Sequence, residues 1–173
     1  MKKTLMSAAM LMAISWISIF NAAVVSAKAP AAPQAAPLSV TGTIANAGGT
    51  FSGTLNLVRF AVQNGQLVAI GNLTGTLTDT AGNLIGTVTN QVVSLLVTPG
   101  TATCDILNLT LGPLDLSLLG LMVHLDQVHL DITAQQGPGN LLGNLLCAVA
   151  HLLDAGGPLT SLAGLLNQIL RAL

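Results

Sequence analysis

The chain has 173 residues, of which 51% are hydrophobic and only 6% are charged, and its formal net charge is −1. So few basic residues disfavour a nucleic-acid partner, because binding nucleic acid requires a positively charged surface. Aromatic residues make up 2% of the chain, which leaves no stacking platforms for bases or sugars. An aliphatic core or an exposed aliphatic surface is what this composition favours.

The first 27 residues have the features of a secretory signal peptide. Lys2 and Lys3 precede an apolar stretch from about Leu5 to Val25, and Val25-Ser26-Ala27 is a small-residue cleavage site. We expect cleavage after Ala27; the alternative is that the apolar stretch is retained as a membrane anchor. The mature chain then has three basic and six acidic residues, a net charge of −3 and no transmembrane segment. Its expected location is periplasmic, extracellular or on the cell surface.

Residues 28–37 (KAPAAPQAAP) predict an extended Pro/Ala-rich linker, and residues 38–173 predict a single β-rich domain. Two C-terminal helices are expected within that domain, at about 140–154 and 158–173, because leucines recur there at helical spacing. Asn140 is the expected N-cap of the first helix and Gly156 its end, and Pro158 suits the first turn of the second.

One pattern occurs four times between Leu38 and Val88, as VTGTI, FSGTL, LTGTL and LIGTV. Alternate side chains of a strand share a face, so the glycine of each segment lies on the apolar face. We predict a four-stranded antiparallel meander with one row of glycines across its inner face. The row consists of Gly42, Gly53, Gly75 and Gly86.

Turn residues fix the predicted register of this meander. A two-residue loop at Ala47-Gly48 sets the first two glycines opposite each other, and a loop at Thr80-Ala81 does the same for the last two. The middle turn, Asn64-Gly65, brings the two central glycines into register only if one residue is bulged. The apolar positions change parity at Leu57-Val58, which predicts the bulge there.

Four glycines in register permit two interpretations. Glycine inside a strand marks either a sharp bend or the close approach of another group. The first interpretation is that the protein's own C-terminal helices fill the space, or that the glycines ease the coiling of the sheet. The second is a groove that binds an apolar ligand at Gly42, Gly53, Gly75 and Gly86.

A tandem His-x-Asp pattern, VHLDQVHLD, lies in the second half of the chain. The apolar positions change parity around Asp126-Gln127, which predicts a bulge or a turn. With a bulge, His124, Asp126, His129 and Asp131 all face away from the core; with a turn, the two histidines become a cross-strand pair. Two imidazoles and two carboxylates can hold a divalent metal, whereas the alternative is an ordinary solvated strand face.

Cys104 and Cys147 are the only cysteines, and an exported chain favours a disulfide between them. This bond would tie the first helix to the sheet and stabilise the fold by about 4 kcal/mol. A free catalytic thiol is the alternative. The chain has no P-loop or nucleophile elbow, and the glycines at 137–143 do not have dinucleotide-binding spacing. We therefore predict no catalytic residues and no cofactor.

Three strings carry a resemblance that covers most of the mature chain: CDILNLTLGPLDLSLLGL from Cys104, VHLDQVHLDITAQ from Val123, and GPGNLLGNLLCAVA from Gly137. The segment FAVQNGQLVAIGNLTGTLTD from Phe60 adds to it more weakly. The chain resembles a family of exported bacterial proteins of uncharacterised function. This resemblance implies export and implies that the two cysteines belong to one module, and it supplies no reaction, cofactor or site.

The predicted fold class is α+β, with a curved, largely antiparallel β-sheet or partial barrel covered by a C-terminal helical hairpin. The predicted function is that of a non-enzymatic exported module that binds an apolar small molecule, a lipid or a protein partner. Two alternatives stay open: a structural or surface-interaction protein without a ligand, and a metal-binding protein that uses the His/Asp strand.

Overall fold

The four glycine-centred segments lie on four consecutive strands of one antiparallel meander. A computed structural model of the protein describes residues 36–173, so the predicted signal peptide and most of the predicted linker lie outside the described residues. Each strand of the meander pairs with the next. The strands are β1 (Leu38–Ile44), β2 (Gly49–Gln63), β3 (Gln66–Asp79) and β4 (Leu84–Ala102).

A long hairpin joins the two margins of this meander. Its strands are β5 (Ile106–Leu111), β6 (Leu114–Leu118), β7 (Leu121–Leu125) and β8 (Val128–Thr133). The β5–β6 arm pairs with the β7–β8 arm in a single register, since Leu111 opposite Val128 is followed by Leu114 opposite Leu125.

The hairpin forces the sheet to curl. β5 pairs with β4, whereas β7 pairs with β1, which gives the strand order β6-β7-β1-β2-β3-β4-β5-β8. One hairpin can reach both margins of a meander only if the meander curves round to meet it. The ladder is interrupted at Gly112-Pro113 and Asp126-Gln127, so the sheet is a partial barrel and does not close. The predicted fold class is thereby confirmed.

The interruption predicted at Asp126-Gln127 is confirmed and is a kink within one arm. β7 and β8 run in the same direction along the β5–β6 arm, so the chain does not reverse there. Buried positions change from odd numbers at Val123 and Leu125 to even numbers at Val128 and Ile132.

The bulge predicted at Leu57-Val58 is also confirmed. Leu57 pairs with Gly71 and Arg59 pairs with Ile70, so Val58 is the extra residue. The insertion keeps one apolar face turned inward along β2, because its buried residues change from odd to even numbers there. Gly53 consequently lies opposite Gly75, as predicted.

The predicted register of the two outer glycines is wrong by two residues. Gly42 lies opposite Phe51 and Gly86 lies opposite Leu77, so the glycines do not form one row. The first error arises at the loop between β1 and β2, and the second arises partly at the loop between β3 and β4 and partly within that strand pair. Gly48 takes a left-handed conformation with φ of +52°, which moves the first turn toward its N-terminal side.

The second loop is organised by Asp79. Its carboxylate accepts hydrogen bonds from the backbone N–H groups of Ala81 and Asn83, at 2.8 Å each, and from the Asn83 side chain. Gly82 completes the loop in the left-handed region. The hydrogen bonds from the Asn83 side chain and backbone hold the pKa of Asp79 below its usual value. This wider loop shifts the register by one residue, and the extra residue Ile85, between the pairs Thr78–Leu84 and Leu77–Gly86, shifts it by one more.

The two C-terminal helices are confirmed as α1 (Leu141–Asp154) and α2 (Leu159–Ala172). Asn140 precedes α1 but its side chain makes no capping hydrogen bond. α1 ends at Asp154, and Gly156, whose φ is +61°, follows two residues later. Pro158 lies immediately before α2. Neither helix has the length and apolar character that spanning a membrane would need.

A single hydrophobic core joins the inner face of the sheet to both helices. Leu146, Leu162 and Leu166 from the helices are almost completely buried in the same cluster as Leu55 and Leu73 from the sheet. Within residues 36–173 no polar or charged side chain is buried. The apolar composition of the sequence is therefore accounted for mainly by this core.

Candidate functional site

The space beside the two paired glycines is occupied by an aromatic ring. A methyl group added at Gly75 would lie 2.5 Å from Cζ of Phe51, and one added at Gly53 would lie 2.8 Å from the same atom. The Phe51 side chain itself is 1% exposed. Gly53 and Gly75 thus leave room for the ring of Phe51, which lies two residues before Gly53 on β2.

The other two glycines also face atoms of the protein. A methyl group at Gly42 would collide with the His124 carbonyl oxygen of β7, and one at Gly86 would lie 2.7 Å from Cδ1 of Leu119. The expectation that the C-terminal helices fill the space beside the glycines is wrong, because Phe51, Leu119 and the β7 backbone do so.

The predicted disulfide between Cys104 and Cys147 is present. Cys104 lies in the turn before β5, and Cys147 is a buried residue of α1. The bond therefore ties α1 to the margin of the sheet, as predicted. His151 lies one helical turn after Cys147, and a ring nitrogen of His151 lies within 4.8 Å of both sulfur atoms.

The four His/Asp candidates face outward and have separate partners. Nδ1 of His124 lies 2.6 Å from Oδ1 of Asp115, across the β6–β7 pair. Asp126 accepts a hydrogen bond of 2.8 Å from the Thr41 hydroxyl.

The second His-x-Asp unit lies farther along the same arm. His129 is 3.3 Å from the Thr110 hydroxyl, and Asp131 lies opposite Asn108. Of the residues from 36 onward, only Cys104, Cys147 and His151 bring three potential ligand atoms within 4.8 Å of one another. The four predicted ligands do not converge on one point.

The outer face of the meander carries a feature that was not predicted from the glycine pattern. Nine cross-strand neighbours on β1, β2 and β3 are all serine or threonine, and we call them the hydroxyl grid. Its rows are Ser39–Thr54–Thr74, Thr41–Ser52–Thr76 and Thr43–Thr50–Thr78. The signal in the sequence is the pair of residues that flanks each of the first three glycines.

Beyond the grid, the same outer face becomes apolar. Ala61, Val68 and Leu96 form one cross-strand row. Ile70 lies in the next row, opposite Ser94, and Val92 lies in the row after it, opposite Asn72. We call these five residues the apolar strip. Val92 is 62% exposed and Leu96 is 41% exposed, while Val68 and Ile70 are covered by their neighbours. Arg59 is the only charged residue in these rows.

A scan against protein-family models, a search of curated proteins and a search of solved structures each returned no match for this chain. The resemblance to a family of exported bacterial proteins therefore stays a prediction. Support for a function therefore comes from the geometry of the described residues.

Proposed function

We propose that this protein is an exported, non-enzymatic interaction module that binds a protein partner through the apolar strip. The observation that carries the proposal is the exposure of Val92 and Leu96, which lie on the outer face of β4 on either side of Ser94. Aliphatic side chains that cluster on a surface favour association, because burying them removes apolar area from water. The disulfide supports an oxidising location outside the cytoplasm.

A protein partner fits this surface better than the other two ligand classes. An apolar small molecule needs a concave site that buries most of its surface, and the space beside the glycines is occupied by Phe51 and Leu119. A membrane surface is bound with the help of several basic residues, and Arg59 is the only one beside the strip. An aliphatic patch whose rim carries one charged residue is suited to the core of a protein interface.

The neutral part of this rim is supplied by the hydroxyl grid. Serine and threonine hydroxyls donate and accept hydrogen bonds without the desolvation cost that burying a charge would add. Ser52, Thr54 and Thr76 are exposed on this rim. The apolar strip would provide the binding affinity. The hydroxyl grid could form hydrogen bonds with different arrangements of polar groups on the partner.

Photo-crosslinking in the exported fraction of a producing cell tests this proposal. A benzoylphenylalanine residue in place of Val92 should give one discrete crosslinked product, and the same residue in place of the exposed Thr133 on β8 should not. Adding Leu96→Glu to the Val92 variant should remove the product, because the carboxylate would be buried without a partner. Equal products at both positions, a product that consists of lipid, or a product that Leu96→Glu leaves unchanged would contradict the proposal.

A further inference from the structure

The Cys104–Cys147 disulfide lies beside an imidazole that its structural role does not require. One ligand atom each from Cys104, Cys147 and His151 lies within 4.8 Å of the other two. Cys147 and His151 are four residues apart on α1, so their side chains share one face of the helix. His151 is exposed and Cys104 is partly exposed, which makes the group accessible from solvent.

The backbone around Cys104 is held independently of the disulfide. The Thr103 N–H donates to the Ile106 carbonyl at 2.7 Å, and the Thr103 hydroxyl accepts from the Ile106 N–H at 3.1 Å. These bonds form a tight turn with Cys104 inside it. The shape of the turn therefore does not require the disulfide, and α1 packs in the same hydrophobic core as β5, through Leu146 and Leu107.

We propose that reduction of this disulfide creates a zinc site formed by Cys104, Cys147 and His151. Two thiolates and a neutral imidazole are ligands that Zn²⁺ prefers, and three protein ligands leave one tetrahedral position open. Tetrahedral bonds of about 2.3 Å to sulfur place the two sulfur atoms about 3.8 Å apart. Rotation of the cysteine side chains can supply that separation once the covalent bond is gone.

The chemistry is balanced by a reductant and by proton release. A phosphine takes up the oxygen atom of a water molecule to become a phosphine oxide, and the disulfide gains two electrons and two protons. The products are two thiols. Zn²⁺ then displaces both thiol protons and accepts a lone pair from the imidazole, so the site gains no net charge.

The zinc site and the disulfide exclude each other, because both use the same sulfur atoms. A reducing compartment would favour the metal and an oxidising compartment the disulfide. This inference does not depend on the apolar strip or its partner. It also differs from a site on the His/Asp strand, whose four residues do not converge.

Metal titration of the purified full-length protein tests the site. With the phosphine present, the wild-type protein should bind one Zn²⁺ per chain in competition with a chromophoric chelator. Co²⁺ should give the absorption bands of a tetrahedral thiolate complex. Without the phosphine, neither signal should appear. Binding by the oxidised protein, or none by the reduced protein, would overturn the proposal.

Two variants separate the site from adventitious binding. His151→Ala should weaken zinc binding at least tenfold while leaving the disulfide of the oxidised protein intact. His129→Ala removes an exposed imidazole elsewhere and should leave the affinity unchanged. Circular dichroism follows the fold throughout; if reduction unfolds the chain, zinc should refold it. Equal affinities in the two histidine variants would count against the proposal. So would zinc binding without refolding in a chain that reduction has unfolded.

Discussion

The meander has two halves that are held in different ways. In the first half, β2 has strands on both sides, since residues 50–55 lie between β1 and β3. In the second half, residues 56–63 pair only with β3, and α2 lies against them. Strands on both sides thus hold the first half, whereas a strand on one side and a helix on the other hold the second.

The helix-held half relies on a few specific bonds. The Phe60 N–H donates to Oδ1 of Asn167 at 2.7 Å, and Nδ2 of Asn167 donates to the Phe60 carbonyl at 2.8 Å. One side-chain amide from α2 therefore substitutes for the peptide group of an absent neighbouring strand. The disulfide makes the corresponding link between α1 and the sheet. At a strand edge that has no neighbouring strand, isolated contacts replace the backbone hydrogen bonds that a neighbouring strand would make.

The largest effect is expected from removing the disulfide, which tests the helix-held half. The double variant Cys104→Ser, Cys147→Ser should lower the free energy of unfolding by about 4 kcal/mol, because the unfolded chain gains conformational freedom when the cross-link is absent. Urea denaturation measures this difference.

Hydrogen exchange supplies an internal control for the cysteine variant. Amides of α1 should exchange faster than in the oxidised protein, while amides around the Gly53–Gly75 pair should lose protection only through global unfolding. A loss below about 1 kcal/mol would mean that the core contacts of α1 alone hold the helix.

Gly75→Ala tests the strand-held half. The added methyl group would lie 2.5 Å from both the Phe51 ring and the Ser52 carbonyl oxygen, and the backbone atom cannot move aside without disturbing the ladder. We expect the free energy of unfolding to fall by about 3 kcal/mol, which is at the upper end of the usual cost of overpacking a core. Urea denaturation measures this difference.

Gly164→Ala is the matched control for Gly75→Ala, because nothing lies within 4 Å of the added methyl group. This change, within α2, should stabilise the protein by about 0.5 to 1 kcal/mol through helix propensity. If the two variants had equal stability, the close approach at Gly75 would not limit packing there.

The sequence predicted the parts of the fold that follow from periodicity. The parity change at Val58 and the Asn64-Gly65 turn together predicted the pairing of Gly53 with Gly75. Periodicity could not predict the positions of Gly42 and Gly86, since these depend on loop conformations, such as the one that Asp79 holds, and on the extra residue Ile85.

The candidate sites were less predictable from the sequence than the fold. The disulfide was predictable from the number of cysteines and from the expected compartment. No sequence pattern, however, links His151 to Cys104 before the fold is known. The His/Asp pattern was visible in the sequence, yet His124, Asp126 and His129 each have a different hydrogen-bond partner. The hydroxyl grid was readable from the residues that flank the glycines, because strand alternation places them on the outer face.

The contact between Asn167 and Phe60 joins residues 107 positions apart, and it gives the smallest of the three expected effects. Asn167→Ala leaves both the N–H and the carbonyl of Phe60 without this partner in a partly buried position, which should cost about 2 kcal/mol. Gln168→Ala, at the next and exposed position of α2, should change stability by less than about 0.5 kcal/mol. Thermal denaturation of the two variants compares them directly. A larger loss for Gln168→Ala would mean that α2 is held by its exposed face and not by the amide that replaces a strand.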